Sequence, residues 1–499
     1  MIFEVILSVP LGIDMGMENI RVSIAGKMMP AESGNFEFPN TLVFSSRGRM
    51  AFKDHEFTVS RLNDVTFLEL LLKLVGKPNN ETIELFRTLQ NQTNCIKAEA
   101  IEENGEVMFH LKNYALSPFP NEKPIGRIEG KTILRLEELI GMSFEQIQMR
   151  SQNYAQEEVR DAFLTVPPWW GPKERKIIFT AAKLGGLEPQ AFVSETTAIG
   201  LSLSSSSLEN PILVFSFGHS AKASILTLEP DTSMIVQNEA WLQNAAELLD
   251  ACISRTFSVP LDIARRIKIN LLNVGTESHQ DRSMLNIKDF SSINISEYFA
   301  LKCGSVVSQI LEPIRKVLEL PGLPPIRTIH FAGGHNSLSL ISKMITLEFK
   351  SKVTFLDQTS AARGVIDSFR AQQGSPCEYL ADLVSPSSAE EVFVFPRFAG
   401  SGSHNVVQKE LGPDFEIVLK CVQADNQYQI GQQPFQVSFE TMGIDEVISS
   451  RSGMDSSNSY IKIMFAIDWF GIPTVHRSDL FFEQQTINEY GEQVLQVII

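Results

Sequence analysis

One ordered stretch, residues 161–203, limits the possible folds of this chain more than any other feature. It begins with a short apolar run that stops at the proline pair 167–168, a pattern that predicts a buried strand with a sharp end. A helix follows and stops at the glycine pair 185–186, because glycine readily adopts the left-handed C-cap conformation. A second apolar segment then leads through residues 195–197 into another helix. Strands that alternate with helices in this way predict an α/β fold.

Two strand–turn–strand units, far apart in the sequence, follow the same plan. Residues 5–26 contain an apolar run, a polar turn and an alternating run, and residues 211–227 repeat this order around Gly218. Downstream, a long amphipathic helix is predicted at 295–320, and a strand that ends in a glycine pair follows it. The repeated units predict an internal duplication, although two unrelated hairpins would give the same pattern.

The order of these segments resembles the heat shock protein 70 superfamily, whose members are chaperones built on an actin-like ATPase. The likeness rests on the two hairpins and, within 161–203, on the Val-Pro strand end, the aromatic pair, the basic helix and the Gly-Leu turn. It spans residues 11–370. It implies an actin-like, two-lobed nucleotide-binding domain at 1–372, in which each lobe supplies a hairpin that grips phosphate.

The sequence changes character after residue 372. Gly, Ser, Pro and acidic residues at 373–387 predict a linker, and alternating apolar and polar residues within 388–499 predict β-strands. The run at 461–483 resembles the closing hairpin of the β-sandwich in the large, hypoxia up-regulated or glucose-regulated chaperones of the endoplasmic reticulum. A β-sandwich that resembles their substrate-binding domain is therefore expected. Because only a short segment follows residue 483, we expect the helical lid of the family to be missing.

Length and charge exclude some classes of partner. The 499 residues exceed what one hydrophobic core usually holds, so two or three domains are expected. The formal net charge of -16 argues against a nucleic-acid partner, because phosphate binding needs clustered Lys and Arg. No apolar run reaches the roughly 18 residues that a transmembrane helix needs, so no membrane span is expected.

Cysteines, histidines and the N terminus give weaker signals. The five cysteines are scattered without CxxC spacing, which fits neither a zinc site nor a dense disulfide framework. His330 and His335 flank one predicted strand without a further ligand at metal spacing, so no metal site is expected there. Residues 1–10 are either the first strand or an eroded signal peptide. The resemblance implies the lumen of the endoplasmic reticulum, with the cytoplasm as the alternative location.

The resemblance also implies a bound nucleotide, ATP or ADP with Mg²⁺. In the family, the turns of both hairpins hold phosphates through backbone N–H groups, and a carboxylate holds the metal through water. Asp14 matches that carboxylate, and Asp14 and Glu195 are the candidates for catalysis. The residues implied in nucleotide contact are Gly12, Asp14, Gly16, Met17, Glu18, Gly218, His219, Ser220, Lys268, Gly333, Gly334 and His335.

Several positions that carry chemistry in the family hold other residues here. Leu72 replaces the lysine that positions the attacking water, and Lys73 is roughly 100° away if this segment is helical. The other replacements are Met17 and Glu18 for hydroxyl residues, Ser216 for an aspartate, Ala221 for a threonine, Thr196 for a proline and Ile269 for an arginine. Hydrolysis needs metal, water and charge stabilisation together. We therefore expect weak ATP binding with little or no hydrolysis.

Three functions fit these observations. The first is a divergent heat shock protein 70-type chaperone of the stress response, which holds unfolded clients or acts as the nucleotide-exchange partner of a conventional member. The second is a pseudo-ATPase scaffold without chaperone activity. The third, a sugar or acetate kinase on the same fold, is disfavoured by the β-rich C-terminal region. A nucleophilic serine at 204–207 is also disfavoured, because the sequence there lacks the motif of a strained elbow.

Overall fold

The structure is a computed structural model and describes residues 8–31, 34–45, 48–51, 65–92, 98–111, 132–203, 210–230, 233–271, 295–336, 338–372, 378–385, 388–395, 403–410, 415–422, 436–440, 460–468, 472–487 and 493–498. The chain divides into two compact units. The first unit consists of Met1–Val75, Asn79–Pro168 and Ile177–Gln372, and the second of Gly76–Pro78, Trp169–Lys176 and Gln373–Ile499. The strand predicted at 1–10 lies outside the described residues up to residue 7, and the serine tract at 204–207 lies outside them entirely.

Up to residue 203, small sheets and helices surround one larger sheet. The strands are β1 (Leu11–Met15), β2 (Asn19–Ile24), β3 (Lys27–Met28), β4 (Phe38–Pro39), β5 (Thr41–Ser45), β6 (Gly48–Ala51), β7 (Val65–Glu69), β8 (Ala98–Glu103), β9 (Glu106–Leu111), β10 (Thr132–Leu134), β11 (Asp161–Val166) and β12 (Glu188–Ser194). The helices are a 3₁₀ helix (Leu71–Leu74), α1 (Asn79–Gln92), α2 (Leu136–Ala155), α3 (Pro172–Leu184) and α4 (Glu195–Leu203).

From residue 210 to 372 the chain forms a second large sheet and its helices. The strands are β13 (Ile212–Phe217), β14 (Ala221–Leu228), β15 (Met234–Leu242), β16 (Thr328–Ala332), β17 (Lys352–Phe355) and β18 (Ala371–Gln372). The helices are α5 (Ala245–Phe257), α6 (Leu261–Leu271), α7 (Ile295–Leu318), α8 (Ser339–Phe349), α9 (Ser360–Gly364) and a 3₁₀ helix (Val365–Arg370).

The two six-stranded sheets of the first unit share one topology. Their strand orders are β12-β11-β1-β2-β3, with β4 also on β2, and β17-β16-β13-β14-β15-β18. In each sheet an antiparallel hairpin, β1–β2 or β13–β14, carries two parallel strands on the outer side of its first strand. The predicted duplication is therefore present in the backbone. Three-stranded sheets, β6-β5-β7 and β10-β9-β8, are inserted into the first half.

The stretch 161–203 forms the predicted strands and helices, and α4 begins earlier than its sequence suggests. The side chain of Ser194 accepts a hydrogen bond from the N–H of Thr197 at 3.2 Å, which is the geometry of an N-cap residue. This cap brings Glu195 into the first turn of the helix. The end of β12 therefore fixes where the Glu195 carboxylate lies.

Small residues let α9 and α4 pack closely within the core of the first unit. A Cβ atom at Gly364 would lie 1.9 Å from the carbonyl oxygen of Ala198, so only glycine fits there. On the other side of α9, the Ser23 hydroxyl donates to the Ala362 carbonyl, and a Cβ at Gly12 would lie 2.4 Å from the same oxygen. Helix α9 thus contacts both β1–β2 and α4.

A disulfide bond joins Cys252 of α5 to Cys303 of α7. The absence of CxxC spacing gave no indication of this pair, because the two cysteines are 51 residues apart in sequence and meet only through helix packing. The bond ties together two helices of the second half of the first unit.

The second unit contains two antiparallel four-stranded sheets. Their strands are β19 (Glu378–Ser385), β20 (Ser388–Phe395), β21 (His404–Glu410), β22 (Glu416–Val422), β23 (Gln436–Glu440), β24 (Tyr460–Ile467), β25 (Pro473–Ile487) and β26 (Gln493–Ile498). The strand orders are β20-β19-β22-β23 and β21-β24-β25-β26.

The linker predicted at 373–387 is wrong at Glu378–Ser385, which form strand β19. This strand pairs with both β20 and β22, and it buries Tyr379, Ala381 and Leu383 on one face. The strong Gly, Ser and Pro content on either side of the strand concealed this short alternation. Residues 373–377 lie outside the described part of the chain.

Candidate functional site

The first hairpin places an arginine directly opposite Asp14. Asp14 of β1 and Arg21 of β2 are partners in the strand register, and Arg21 Nη1 lies 3.2 Å from Asp14 Oδ2. The other carboxylate oxygen, Oδ1, accepts a hydrogen bond from the Thr165 hydroxyl at 2.9 Å. Arg21 also forms an ion pair with Glu37. Both oxygens of Asp14 therefore already have donors from within the chain.

The second hairpin repeats this arrangement with a lysine. Ser216 of β13 faces Lys222 of β14 in the register, and both side chains bind Glu195 at the start of α4. The Ser216 hydroxyl donates to Glu195 Oε1 at 2.6 Å, and the Lys222 ammonium donates to Oε2. Glu195 is thus held by two residues of the hairpin whose family aspartate is missing.

The two carboxylates lie close enough to influence each other's pKa. Burial raises the pKa of Asp14, the Glu195 carboxylate raises it further, and the opposing effects of Arg21, Thr165 and Lys222 do not reverse the shift. Burial would also raise the pKa of Glu195, but Lys222 and Ser216 outweigh it, so that pKa is lowered. We call Asp14, Arg21, Glu195 and Lys222 the hairpin charge cluster. It brings the first and second hairpins to one place.

A glycine turn after β16 packs against the second hairpin. Gly333 has a φ of +96°, and a Cβ there would lie 2.4 Å from the carbonyl oxygen of Phe217. The His335 N–H donates to that same oxygen at 2.9 Å, and the rings of Phe217 and His335 have centroids 5.1 Å apart. The nearest atom to a Cβ built on Gly218 is the Gly334 nitrogen, at 4.0 Å. The structure therefore brings together the two predicted glycine turns, 218–220 and 333–335.

The two histidines of these turns are neutral near pH 7. Burial lowers the pKa of His219 to about 4, and the Lys73 ammonium lowers it as well. Burial likewise lowers the pKa of His335 to about 3, with a smaller effect from Lys268. His219 Nε2 lies 3.1 Å from Asn244 Oδ1. Neither imidazole therefore supplies positive charge for a phosphate.

The remaining predicted basic residues are held in ion pairs. Lys268 of α6 is buried, with Nζ 2.8 Å from Asp250 Oδ1. Lys73, in the 3₁₀ helix, forms an ion pair with Glu247 of α5, while its neighbour Leu72 is buried. Lys73 therefore faces away from the core position that Leu72 occupies, in agreement with the expected change of face.

The turn of the first hairpin is shaped by backbone contacts. A Cβ at Gly16 would lie 2.2 Å from the Asn19 carbonyl oxygen, so glycine is required for the turn to close. Asn40 fixes the turn by donating to the carbonyls of Gly16 and Glu18 at 3.0 and 2.7 Å. Glu18 is exposed and Met17 is half-buried. By contrast, Gly12 lies within β1, where contact with Ala362 explains the need for glycine.

A second buried polar group lies beside the charge cluster. Glu239 of β15 accepts hydrogen bonds at Oε1 from the hydroxyls of Ser194, Thr196 and Ser224, at 2.6, 2.7 and 2.8 Å. All four residues are buried. We call them the Glu239 cluster. Thr196, which stands for the family proline, is therefore hydrogen-bonded to a strand of the second sheet.

The residues that hold both carboxylates were not predicted from the sequence. Arg21 and Lys222 are cations within strands that are otherwise buried, and this interruption of an apolar strand was the available signal. Thr165 and Glu239 gave no such signal, because their partners are distant in sequence. The predicted residues Asp14 and Glu195 are indeed brought together.

Comparison with known proteins covers the second of these hairpins. A family model described as Hsp70 protein matches residues 77–240, which include β11, β12, α4 and the second hairpin. Over this part, and in its similarity to the relatives below, the chain resembles a divergent member of the heat shock protein 70 superfamily. Its mixed α/β architecture with several sheets fits the actin-like ATPase fold of that superfamily.

The curated relatives that this chain matches are distant and longer. Hypoxia up-regulated protein 1 of Xenopus laevis is 23% identical over 198 residues, 38% of this chain and 27% of that protein. Heat shock protein 70 homolog of Acanthamoeba polyphaga mimivirus is 20% identical over 375 residues, 68% of this chain and 38% of that protein. Heat shock 70 kDa protein 4L of Homo sapiens is 22% identical over 296 residues, 50% and 34% respectively. The chain therefore spans less than half the length of each.

The family binds nucleotide and typically uses Mg²⁺, but the residues at this site do not fit the metal. Mg²⁺ needs oxygen ligands in near-octahedral geometry, directly or through water. Here every carboxylate oxygen of Asp14 and Glu195 accepts from Arg21, Thr165, Ser216 or Lys222. Among the residues that the structure describes, no group of three or more His, Cys, Asp or Glu could hold a metal ion. The predicted role of Asp14 as a water-mediated metal ligand is therefore not supported by the donor set.

Within the described residues, no helix is both long and apolar enough to cross a bilayer.

Proposed function

We propose that this chain is a heat shock protein 70-type chaperone that assists folding by binding rather than by turnover. Similarity to the heat shock protein 70 family supports a chaperone-type function. The observation that carries the proposal is the contrast within the first unit. Both hairpins and the glycine turn are built, yet Arg21 and Lys222 neutralise the carboxylates beside them. The backbone of these turns is the proposed cradle for a nucleotide, and the two carboxylates beside it are paired within the chain.

The proposed nucleotide site uses backbone groups more than side chains. The turns at 16–18 and 218–220 would hold the phosphates of ATP or ADP through N–H groups, and the turn at 333–335 would lie against the adenosine. Lys268 lines the same region, because it influences the pKa of His335. Hydrolysis should be slow or absent, because Leu72 and Ser216 lack the ammonium and carboxylate that handle water and metal. Binding is expected to be weak, because Lys268 is already paired with Asp250.

We propose that the second unit holds unfolded clients. Its two four-stranded sheets would pack as a β-sandwich, with a domain that begins at β19 instead of residue 388. Two edge strands carry exposed apolar side chains, Phe393 on β20 at 51% exposure and Val406 on β21 at 47%. An extended client could add to such an edge through main-chain hydrogen bonds, with apolar contacts at alternate residues.

The client proposal is tested by aggregation of an unfolded enzyme. The full chain should suppress light scattering at micromolar concentration, and the double variant Phe393→Ser, Val406→Ser should lose most of this protection. Leu301→Ser is the matched control, because Leu301 is 79% exposed but lies in the first unit. Equal protection by both variants would exclude the edge strands as the client surface.

The partner proposal is that the first unit acts on a conventional heat shock protein 70 chaperone. Mixing the protein with an ADP-loaded conventional member should accelerate release of labelled nucleotide. If the protein neither accelerates release nor protects a client, the pseudo-ATPase scaffold becomes the better assignment.

We propose the lumen of the endoplasmic reticulum as the location. The disulfide between Cys252 and Cys303 supports an oxidising compartment, because such bonds are rare where glutathione keeps thiols reduced. Peptide mass mapping of protein from its native source, with free thiols blocked before lysis, should recover the two cysteines linked. Free thiols at both positions would favour the cytoplasm.

A further inference from the structure

We infer that Arg21 and Lys222 take the place of the family's divalent cation, so that the nucleotide site of this chain is built to work without metal. The inference rests on the proposed nucleotide site and specifies its ligand as the metal-free nucleoside di- or triphosphate. Three observations support it: the register of the hairpins, the hydrogen bonds that the carboxylate oxygens already accept, and the two buried cations.

The register places one cation at the equivalent position of each duplicated hairpin. Arg21 faces Asp14 across β1–β2, and Lys222 faces Ser216 across β13–β14. The side chains on paired positions of an antiparallel hairpin lie close together on the same face of the sheet. The strand register therefore places each cation beside a carboxylate whose charge a metal would otherwise neutralise.

The carboxylates are already neutralised by these residues. Arg21 Nη1 and the Thr165 hydroxyl donate to the two oxygens of Asp14, and the Lys222 ammonium and the Ser216 hydroxyl donate to those of Glu195. Arg21 and Lys222 are largely buried, with side chains 10% and 11% exposed. A hydrated Mg²⁺ would have to share carboxylate oxygens that already accept from these donors.

The two cations also remove the electrostatic attraction for a metal. Lys222 acts on the carboxylate of Asp14 as well as on that of Glu195, so its charge extends across the cluster. The two cations offset the charges of the two carboxylates, so the cluster keeps no excess negative charge to attract a divalent cation. A phosphate would be held by the backbone N–H groups of the turns, and metal-free nucleotide is therefore the ligand class that fits.

The test compares two substitutions at Lys222 in the nucleotide-free full chain. Lys222→Asp removes the cation and adds a third carboxylate, so its melting temperature should fall by about 4 °C or more in EDTA and recover in millimolar MgCl₂. Lys222→Met removes the charge without adding a ligand, so it should fall with a much smaller recovery. Lys183→Asp, which breaks an exposed ion pair with Glu188, is the matched control and should not respond to the metal.

The unaltered protein gives a result even if Lys222→Asp does not fold. Its melting temperature should be the same in EDTA and in MgCl₂, and titration calorimetry with MgCl₂ should give no binding heat. A metal-dependent rise in the unaltered protein would overturn the inference. Failure of Mg²⁺ to rescue folded Lys222→Asp beyond Lys222→Met would overturn it as well.

Calorimetry with ATP separates this inference from the proposed function. Binding of ATP that is equally tight in EDTA and in MgCl₂ supports both. Binding that requires Mg²⁺ overturns the inference and leaves the nucleotide site standing. If ATP does not bind in either buffer, the proposed nucleotide site fails, and the metal response of the Lys222 variants still decides whether the cations replace a metal.

Discussion

Replacing Glu239 by leucine should destabilise the first unit more than any single surface change, because three buried hydroxyls depend on one of its oxygens. Ser194, Thr196 and Ser224 lie 2.6–2.8 Å from Glu239 Oε1. A hydrogen bond to a charged group contributes about 1.5–3 kcal/mol to stability. The sum of three such bonds is an upper limit on the stability lost in Glu239→Leu, and we expect a smaller loss.

Two effects reduce the expected loss. Ser194 and Ser224 keep partners after the substitution, since Ser194 lies 2.9 Å from the Thr197 hydroxyl and Ser224 lies 2.7 Å from that of Thr196. Removing the buried carboxylate also removes the cost of burying its charge. We therefore expect Glu239→Leu to lower the free energy of opening by about 3 kcal/mol, and Glu239→Gln, which keeps an acceptor, by about 1 kcal/mol.

The measurement is native-state hydrogen exchange of peptides from β15 in increasing urea, which reports the free energy of opening of this strand. Glu312→Leu is the control, because its side chain is 45% exposed and pairs with Arg315 on the same helix. The control should change the free energy by less than about 0.5 kcal/mol. A loss for Glu239→Leu no larger than that of the control would show that the three hydroxyls are satisfied without the carboxylate.

The other predictions concern pH, the disulfide and turnover. The folded pKa is lowered to about 4 for His219 and to about 3 for His335, so the unfolded chain binds more protons below its ordinary histidine pKa. The free energy of unfolding, measured by urea titration, should therefore fall from pH 6.5 towards pH 4, by up to about 1.4 kcal/mol per pH unit for each histidine. His219→Asn should flatten this profile. Replacing Cys252 and Cys303 by serine opens a 51-residue loop and should cost about 4 kcal/mol in chemical unfolding, whereas equal stability with and without reductant would contradict the bond. Steady-state ATPase activity should be at or near background. A turnover like that of a conventional member, abolished by Asp14→Ala, would refute the proposal that hydrolysis is slow or absent.

Local patterns predicted the two hairpins and the stretch 161–203, because the strands there are short, apolar and bounded by glycine or proline. The hairpins β1–β2 and β13–β14 and the succession β11, α3, β12, α4 all follow from such patterns. The linker predicted at 373–387 missed β19, because this short strand lies between turn-forming residues. Sequence could locate the start of each element only to within a few residues, as the Ser194 cap shows.

The candidate site was harder to predict, because its charges are paired over long distances. Asp14 and Glu195 were recognised by resemblance, but their partners were not. The bond from Lys222 to Glu195 joins residues 27 positions apart, and the bond from Ser194 to Glu239 joins residues 45 apart. Such pairs exist only once the sheets have formed. The family motif shows which acidic residues this chain lacks, but it gives no sign of the cations Arg21 and Lys222, which pair with the carboxylates that remain.

The tight contacts of α9 have a consequence for how the first unit moves. Ala362 is hydrogen-bonded to Ser23 of the first sheet, and Gly364 lies against the Ala198 carbonyl of α4. A nucleotide that drew the two hairpins together would have to carry this five-residue helix with it, because neither side leaves room for sliding. Helix α9 is therefore a steric link between the first sheet and α4. A single methyl group at position 364 should push these two elements apart without touching the nucleotide.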